Sequence, residues 1–242
     1  MRSMPQKPEP PSCPCPAPLA YRSVLRGEFE AQDLRKGVRT ALRIRWAACE
    51  LLEQTSPDLL KVQDICAHIG IAQGTLYQYF PDRDRLLESL LQDFVVFLRE
   101  RMEAATLGSH RPQESAELAT RAYCMLFEQN RGLMKCLLNH YEAFPKAREI
   151  LEAFNEGWID TVVKSIKKHR QTRSGPRTQD VELRRRAYAL GGMVDQYLSW
   201  VYLYGDDKVA ALVGDTEAMV RTLSFIWYQT FREEFADTEP TA

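Results

Sequence analysis

KVQDICAHIGIAQGTLYQYF, residues 61–80, is the stretch that decides the fold. Within it Val62, Ile65, Cys66 and Ile69 recur at three- and four-residue spacing, the pattern of a short helix with one apolar stripe. Gly70 follows at once, a residue that can take the left-handed conformation that closes a helix and opens a tight turn. Gly74 to Phe80 reads as a second helix, with Leu76 and Phe80 four apart on one side and Pro81 stopping it. Gln73, Thr75, Tyr77, Gln78 and Tyr79 are left to the other faces. A short helix, a glycine turn and a helix with a polar face make a helix-turn-helix, whose second helix can enter a DNA major groove about 12 Å wide.

The polar residues are of types that suit DNA. Gln73 and Gln78 can offer an amide to adenine, and Thr75 can meet a thymine methyl. Tyr77 and Tyr79 can hydrogen-bond phosphates, and Arg83, just past the turn into the next helix, can add charge. Lys61 is a further candidate contact, with a solvated lysine as its alternative, and Tyr79 could instead hold two helices apart.

Upstream, Ile44, Ala47, Ala48, Leu51 and Leu52 make a helix with one buried stripe, ending near Ser56-Pro57. Before it, the seven prolines between Pro5 and Pro18 forbid helix and predict a disordered arm over residues 1–20. From Tyr21 to Arg45 basic residues outnumber acids, which fits either a phosphate-seeking arm or a solvated helix face. The net charge of the 242 residues is only -1, so any DNA-attracting surface must be local.

Downstream, Leu86, Leu87, Leu90, Leu91, Phe94, Leu98 and Met102 continue a long amphipathic helix to about Ala105, followed by a hinge at Gly108–Pro112. Helices are expected at about 113–128, 131–142, 145–170, 179–204 and 215–236, with no convincing strand. The class is all-α: an N-terminal three-helix helix-turn-helix domain and a C-terminal helical bundle. The divisions are a disordered then basic arm at 1–36, a DNA-binding domain at 37–85 and an effector-binding and dimerisation domain at 86–242, with 86–105 as connecting helix.

Val62 to Cys66, Gly70 to Phe80, Arg83 and Leu86-Leu87 together resemble the TetR family of bacterial repressors, over about Arg39–Leu91. The resemblance implies that Gln73, Thr75, Tyr77 and Tyr79 face DNA, with Arg83 in place of the family's usual phosphate-contacting lysine. It also implies a helical C-terminal domain that dimerises and often encloses a small-molecule pocket. Three departures stand out. Leu60-Lys61 replaces the serine or threonine usual before the first of the two helices, Ala72 replaces the serine before the recognition helix, and Gln73 replaces a lysine. Two side-chain caps and one charge are thereby lost, which should weaken the grip on phosphate unless the basic arm and Lys61 compensate.

For the C-terminal half, Tyr123, Phe127, Tyr141, Trp158, Tyr197 and Trp200 are candidate walls of an apolar pocket, with core packing the alternative for each. On the helix Arg184–Tyr204, Gly191, Asp195 and Ser199 line up at four-residue intervals, a small polar face where a second copy could approach. With Trp227, on Ala218–Phe235, they form the expected homodimer interface; the alternative for Asp195 is an acidic group inside the pocket for a cationic or hydroxylated ligand.

Other function classes find little support. No paired carboxylates in a motif, glycine-rich phosphate loop or zinc-ligand spacing is present, so neither an enzyme nor a cofactor is expected. No run reaches the roughly 20 apolar residues of a membrane span, and the first thirty residues lack a signal peptide's apolar stretch, so a cytoplasmic protein without membrane contact is expected. Cys13-Pro-Cys15 is the one close cysteine pair, and Cys49, Cys66, Cys124 and Cys136 read as small core residues. The function expected is a sequence-specific regulator, most simply a repressor released from a pseudopalindromic operator by a small molecule. The alternative is an all-α dimer that binds a small molecule or a protein and has no sequence-specific DNA role.

Overall fold

The computed structural model describes residues 18–31, 33–139, 144–170 and 178–235, and these form helices and connecting turns with no strand among them. The order is α1 (Tyr21–Glu30), α2 (Lys36–Leu52), α3 (Val62–Ile69), α4 (Gln73–Tyr77), α5 (Arg83–Ala105), α6 (Pro112–Gln129), α7 (Arg131–Asn139), α8 (Pro145–Arg170), α9 (Asp180–Tyr202), α10 (Asp207–Val213) and α11 (Thr216–Phe235). The all-α class and the two-part plan hold. The Pro-rich residues 1–17 with Cys13 and Cys15, Tyr141, and the Ser174-Gly175-Pro176 break lie outside the described residues.

The apolar core is continuous across residue 85. It runs from Leu25 through Ile44, Leu52, Ile65 and Leu76, along α5 at Leu86, Leu90 and Phe94, and on to Phe127 and Leu223. A smaller cluster joins α8, α9 and α11 through Ile159, Val163, Ile166, Leu183 and Phe231. At about 1.5 Å per residue, the 23 residues of α5 span roughly 35 Å, so one helix touches both halves.

The basic arm expected before residue 36 needs correction, because residues 21–30 are a docked helix. Tyr21 and Leu25 are buried, and the Tyr21 ring lies 5.2 Å from Phe97 and 5.8 Å from Phe94. The Tyr21 N–H donates to Asn130 Oδ1 at 2.7 Å, while the Asn130 amide donates to the Leu19 and Leu126 carbonyls at 2.8 and 2.7 Å. Arg22 donates to the Gln129 carbonyl and pairs with Glu50 and Glu53, and Arg26 pairs with Glu30. Arg22 is held against α2 and the end of α6, and Arg26 forms an exposed pair within α1, so residues 21–30 are a docked helix rather than a free phosphate-seeking arm.

A second contact between the halves lies beside it. A Cβ on Gly132, at the start of α7, would sit 2.4 Å from the Leu52 carbonyl carbon and oxygen, so glycine is what lets α7 touch the end of α2. The Gly132 N–H donates to Glu53 Oε1 at 3.3 Å. Burial pushes the Glu53 carboxyl up from its ordinary value, against this bond and the pull of Arg22 and Arg131. Helix α10 occupies the stretch between the helices expected at 179–204 and 215–236.

Candidate nucleic-acid interface and ligand cavity

The turn between α3 and α4 has the geometry that the sequence implied. Gly70 takes φ 67° and ψ 43°, its N–H donates to the Ala67 carbonyl, and the Ile71 N–H reaches back to Cys66 O at 3.0 Å, which closes α3. Arg43 donates to the Ile69 carbonyl at 2.9 Å, satisfying another open acceptor at that end. Neither Lys61 nor Ala72, the residues before α3 and α4, makes a side-chain cap. By contrast Asp82, before α5, accepts from the Arg85 N–H at 2.7 Å.

Leu76 is fully buried and Phe80 nearly so, which anchors α4 on its inner side. On the outer side Gln73, Tyr77 and Gln78 are exposed, Thr75 is half-buried, and Lys61 is exposed at the start of α3. Tyr79 is half-buried, with its hydroxyl 3.7 Å from where a Cβ on Gly37 would lie, so it packs at the start of α2. Arg83 is also half-buried: it donates to the Asp58 carbonyl at 3.3 Å and to Asp84 Oδ1 at 3.0 and 3.1 Å. Arg35 and Lys36, which begin α2 next to Gly37, are exposed. The helix N-terminus, two cations and a tyrosine therefore share one edge of the recognition surface, an arrangement that suits a phosphate. Sequence reading noted the two cations only as part of a general excess.

Arg45, half-buried on α2, is held against α5. It donates to Asp93 Oδ2 at 2.6 Å and to the Ser89 hydroxyl, with its guanidinium carbon 5.8 Å from the Phe80 ring centroid. This couples the frame of the recognition helix to the connecting helix.

The C-terminal half encloses a cavity of about 330 Å³ between α5, α6, α8, α9 and α11. Of the six aromatics proposed as pocket walls, Tyr123 and Trp158 line it. Phe127 is fully buried in the core behind Tyr123, their rings edge to face at 6.2 Å. Tyr197 is half-buried away from the lining, Trp200 is 43% exposed on the outside, and Tyr141 lies outside the described residues. Phe154, Trp227, Tyr228 and Phe231 supply further walls. Thr161 and Ser165 also line it; their spacing with Trp158 and Val162 along α8 was the signal that could have grouped them.

Most of the residues expected at the interface sit at the cavity, the place given as the alternative for Asp195. Gly191, Asp195 and Trp227 line the cavity, and Ser199 is buried, so this face of α9 looks inward. The reason is geometric: four-residue spacing groups side chains on a face without saying what that face meets. Asp195 Oδ1 accepts a hydrogen bond from the Tyr123 hydroxyl at 2.6 Å. Removal from solvent pushes the Asp195 carboxyl up to about 6, and the tyrosine hydrogen bond only partly opposes that. The outward face of α9 carries Tyr188, Gly192 and Trp200 instead, and Phe225 of α11 is 62% exposed.

Cys49, Cys66, Cys124 and Cys136 are buried free thiols. Burial pushes Cys124 and Cys136 up to about 12, and Cys49 and Cys66 upward too, which suppresses the thiolate and fits packing rather than redox sensing.

Residues 44–90 match the family model described as bacterial regulatory proteins, tetR family. Over 133 residues the chain is 24% identical to the nucleoid occlusion factor SlmA of Vibrio atlanticus, a match covering 53% of this chain and 67% of that protein. In fold it is similar to a TetR-family transcriptional regulator from Mesorhizobium loti, with TM-score 0.65 and 13% identity over 83% of this chain and 98% of the other. It is likewise similar to the fatty acid degradation regulator FadR of Bacillus halodurans, with TM-score 0.61 and 16% identity over 80% and 97% of the two chains. FadR of Bacillus subtilis in complex with stearoyl-CoA gives TM-score 0.58 and 20% identity over 76% and 97%.

Proposed function

We infer that this chain is a TetR-family regulator, a homodimeric repressor that leaves a pseudopalindromic operator when a small molecule fills its C-terminal cavity. The observation that carries the DNA-binding part is the two-sided character of α4. Leu76 and Phe80 pin it to the core while Gln73, Thr75, Tyr77 and Gln78 remain available to base edges and phosphates. Lys36, Arg35 and Tyr79 hold the backbone from the start of α2. Lys61 holds it from the start of α3, and Arg83, turned toward Asp84 and Asp58, has to release those partners before it can.

Two copies meet through the outward face of α9 and through α11, where Tyr188, Trp200 and Phe225 offer exposed aromatic surface around Gly192. A two-fold dimer sets its recognition helices about 34 Å apart, or a multiple of that, and therefore prefers an inverted repeat. The cavity touches α5 at Met102 and Glu103, and α5 also carries the Arg45 contacts near α4. A ligand that favours the form with the wrong spacing lowers DNA affinity by the same coupling factor that DNA imposes on the ligand. A regulator of this kind works in the cytoplasm, on the DNA it reads.

Selection of duplexes from a random pool by the full chain tests the proposal. Enrichment of an inverted repeat with half-sites one turn or a whole number of turns apart is the expected result. Enrichment of a single half-site would remove the dimer from the account, and no enrichment would favour a binding protein without a sequence-specific DNA role.

A further inference from the structure

The cavity contains a carboxyl group that no cation among the described residues balances. Asp195 extends from α9 into a space walled by Trp158 and Trp227, and its hydrogen-bond partner among the described residues is the neutral Tyr123 hydroxyl on Oδ1. No lysine or arginine pairs with it among the described residues. The other charged side chains on the lining, Glu103 and Lys168, are exposed and mark where the cavity meets solvent. An ionised carboxylate away from water is costly unless something supplies an opposite charge and the missing hydrogen bonds.

The surroundings suit such a supplier. Thr161 spends its hydroxyl proton on the Gly157 carbonyl at 3.1 Å, so what it presents to a ligand is an acceptor. The faces of Trp158, Trp227 and Tyr228 attract a cation and pack against an apolar body. We propose that the effector is a lipophilic amine, its ammonium group set against Asp195 and its apolar body among the aromatic side chains of α8 and α11. The inference rests on the effector-site reading above and names the ligand's charge.

A pH signature follows. The Asp195 carboxyl is pushed up to about 6, and a cation prefers its ionised form, so amine affinity rises from pH 5 to pH 7 and then levels off. The other ionisable side chains on the cavity walls are Glu103 on α5, Tyr123 on α6, Lys168 on α8 and Tyr228 on α11. Substituting Asp195 alone separates its contribution from theirs.

The test is a titration of the full chain with decylamine, decanoate and 1-decanol, read by the fluorescence of Trp158 and Trp227. At pH 7.5 decylamine should bind at least tenfold more tightly than decanoate. Asp195→Asn, which keeps an acceptor for Tyr123, should erase that preference, and the rise in decylamine affinity with pH should disappear with it. Equal or tighter binding of decanoate, or a flat pH profile in the unsubstituted chain, overturns the assignment while leaving an effector cavity in place. Failure of all three compounds to bind overturns both.

Discussion

The Tyr123 hydroxyl donates to Asp195 at 2.6 Å across the space between α6 and α9, an uncharged partner for a carboxylate enclosed by the bundle. The folded protein therefore holds a proton on Asp195 more strongly than the unfolded chain does. The folded value lies above the ordinary one, so the penalty is absent below about 3.8, grows as pH rises, and is complete above about 6. Asp195→Asn removes it and should raise stability at pH 7.5 by roughly 3 kcal/mol at most while leaving pH 3.5 little changed. Urea denaturation at the two pH values measures the difference; equal effects at both would show that the carboxylate is not the strained group.

Asn130 joins three backbone groups, two of which belong to the N-terminal segment. Asn130→Ala leaves the buried Tyr21 N–H without its acceptor, at a cost of about 1–3 kcal/mol. Hydrogen exchange should show α1 opening before α2 and α5. Uniform loss of protection would contradict the idea that α1 docks as a separate unit.

Ala72 has φ -72° and ψ 148°, backbone angles of an N-cap residue with no side chain able to cap. Ala72→Ser restores an acceptor for the first turn of α4 and should stabilise the protein by about 1 kcal/mol. Thermal unfolding reads the gain, and a fall in melting temperature would show that the turn cannot accept the cap.

Lys36 and Arg35 sit exposed at the start of α2, whereas Arg22 and Arg26 are each paired with glutamates. Lys36→Ala should reduce the slope of log affinity against log salt by about 1, and Arg26→Ala should leave it unchanged. A change of slope for Arg26→Ala would return the first helix to the phosphate contacts. Removing everything before Gly37, by contrast, would strip Tyr21 and Leu25 from the core and confuse stability with binding.

The helix-turn-helix was legible because Gly70 and the apolar spacing of Val62–Ile69 and Leu76–Phe80 are local signals, and local geometry satisfies them. Helix α1 was not: its anchoring residues, Tyr21 and Leu25, stand among charges, and their partners Phe94, Phe97 and Asn130 are some 70 to 110 positions away. The Gly191, Asp195 and Ser199 row is legible as one face, but not that this face turns toward the cavity. Its environment depends on α6 and α11, which periodicity within α9 does not report.

The central claim is that the exposed face of α4 reads DNA sequence. Its most direct test is fluorescence anisotropy of a duplex selected by the full chain, comparing the unsubstituted protein with Thr75→Ala/Tyr77→Ala after circular dichroism has verified the fold. The unsubstituted protein should prefer that duplex over a scrambled one by roughly a thousandfold or more. The double variant should lose most of this preference while retaining salt-sensitive, sequence-independent binding. A double variant that discriminates as well as the unsubstituted protein would contradict the account.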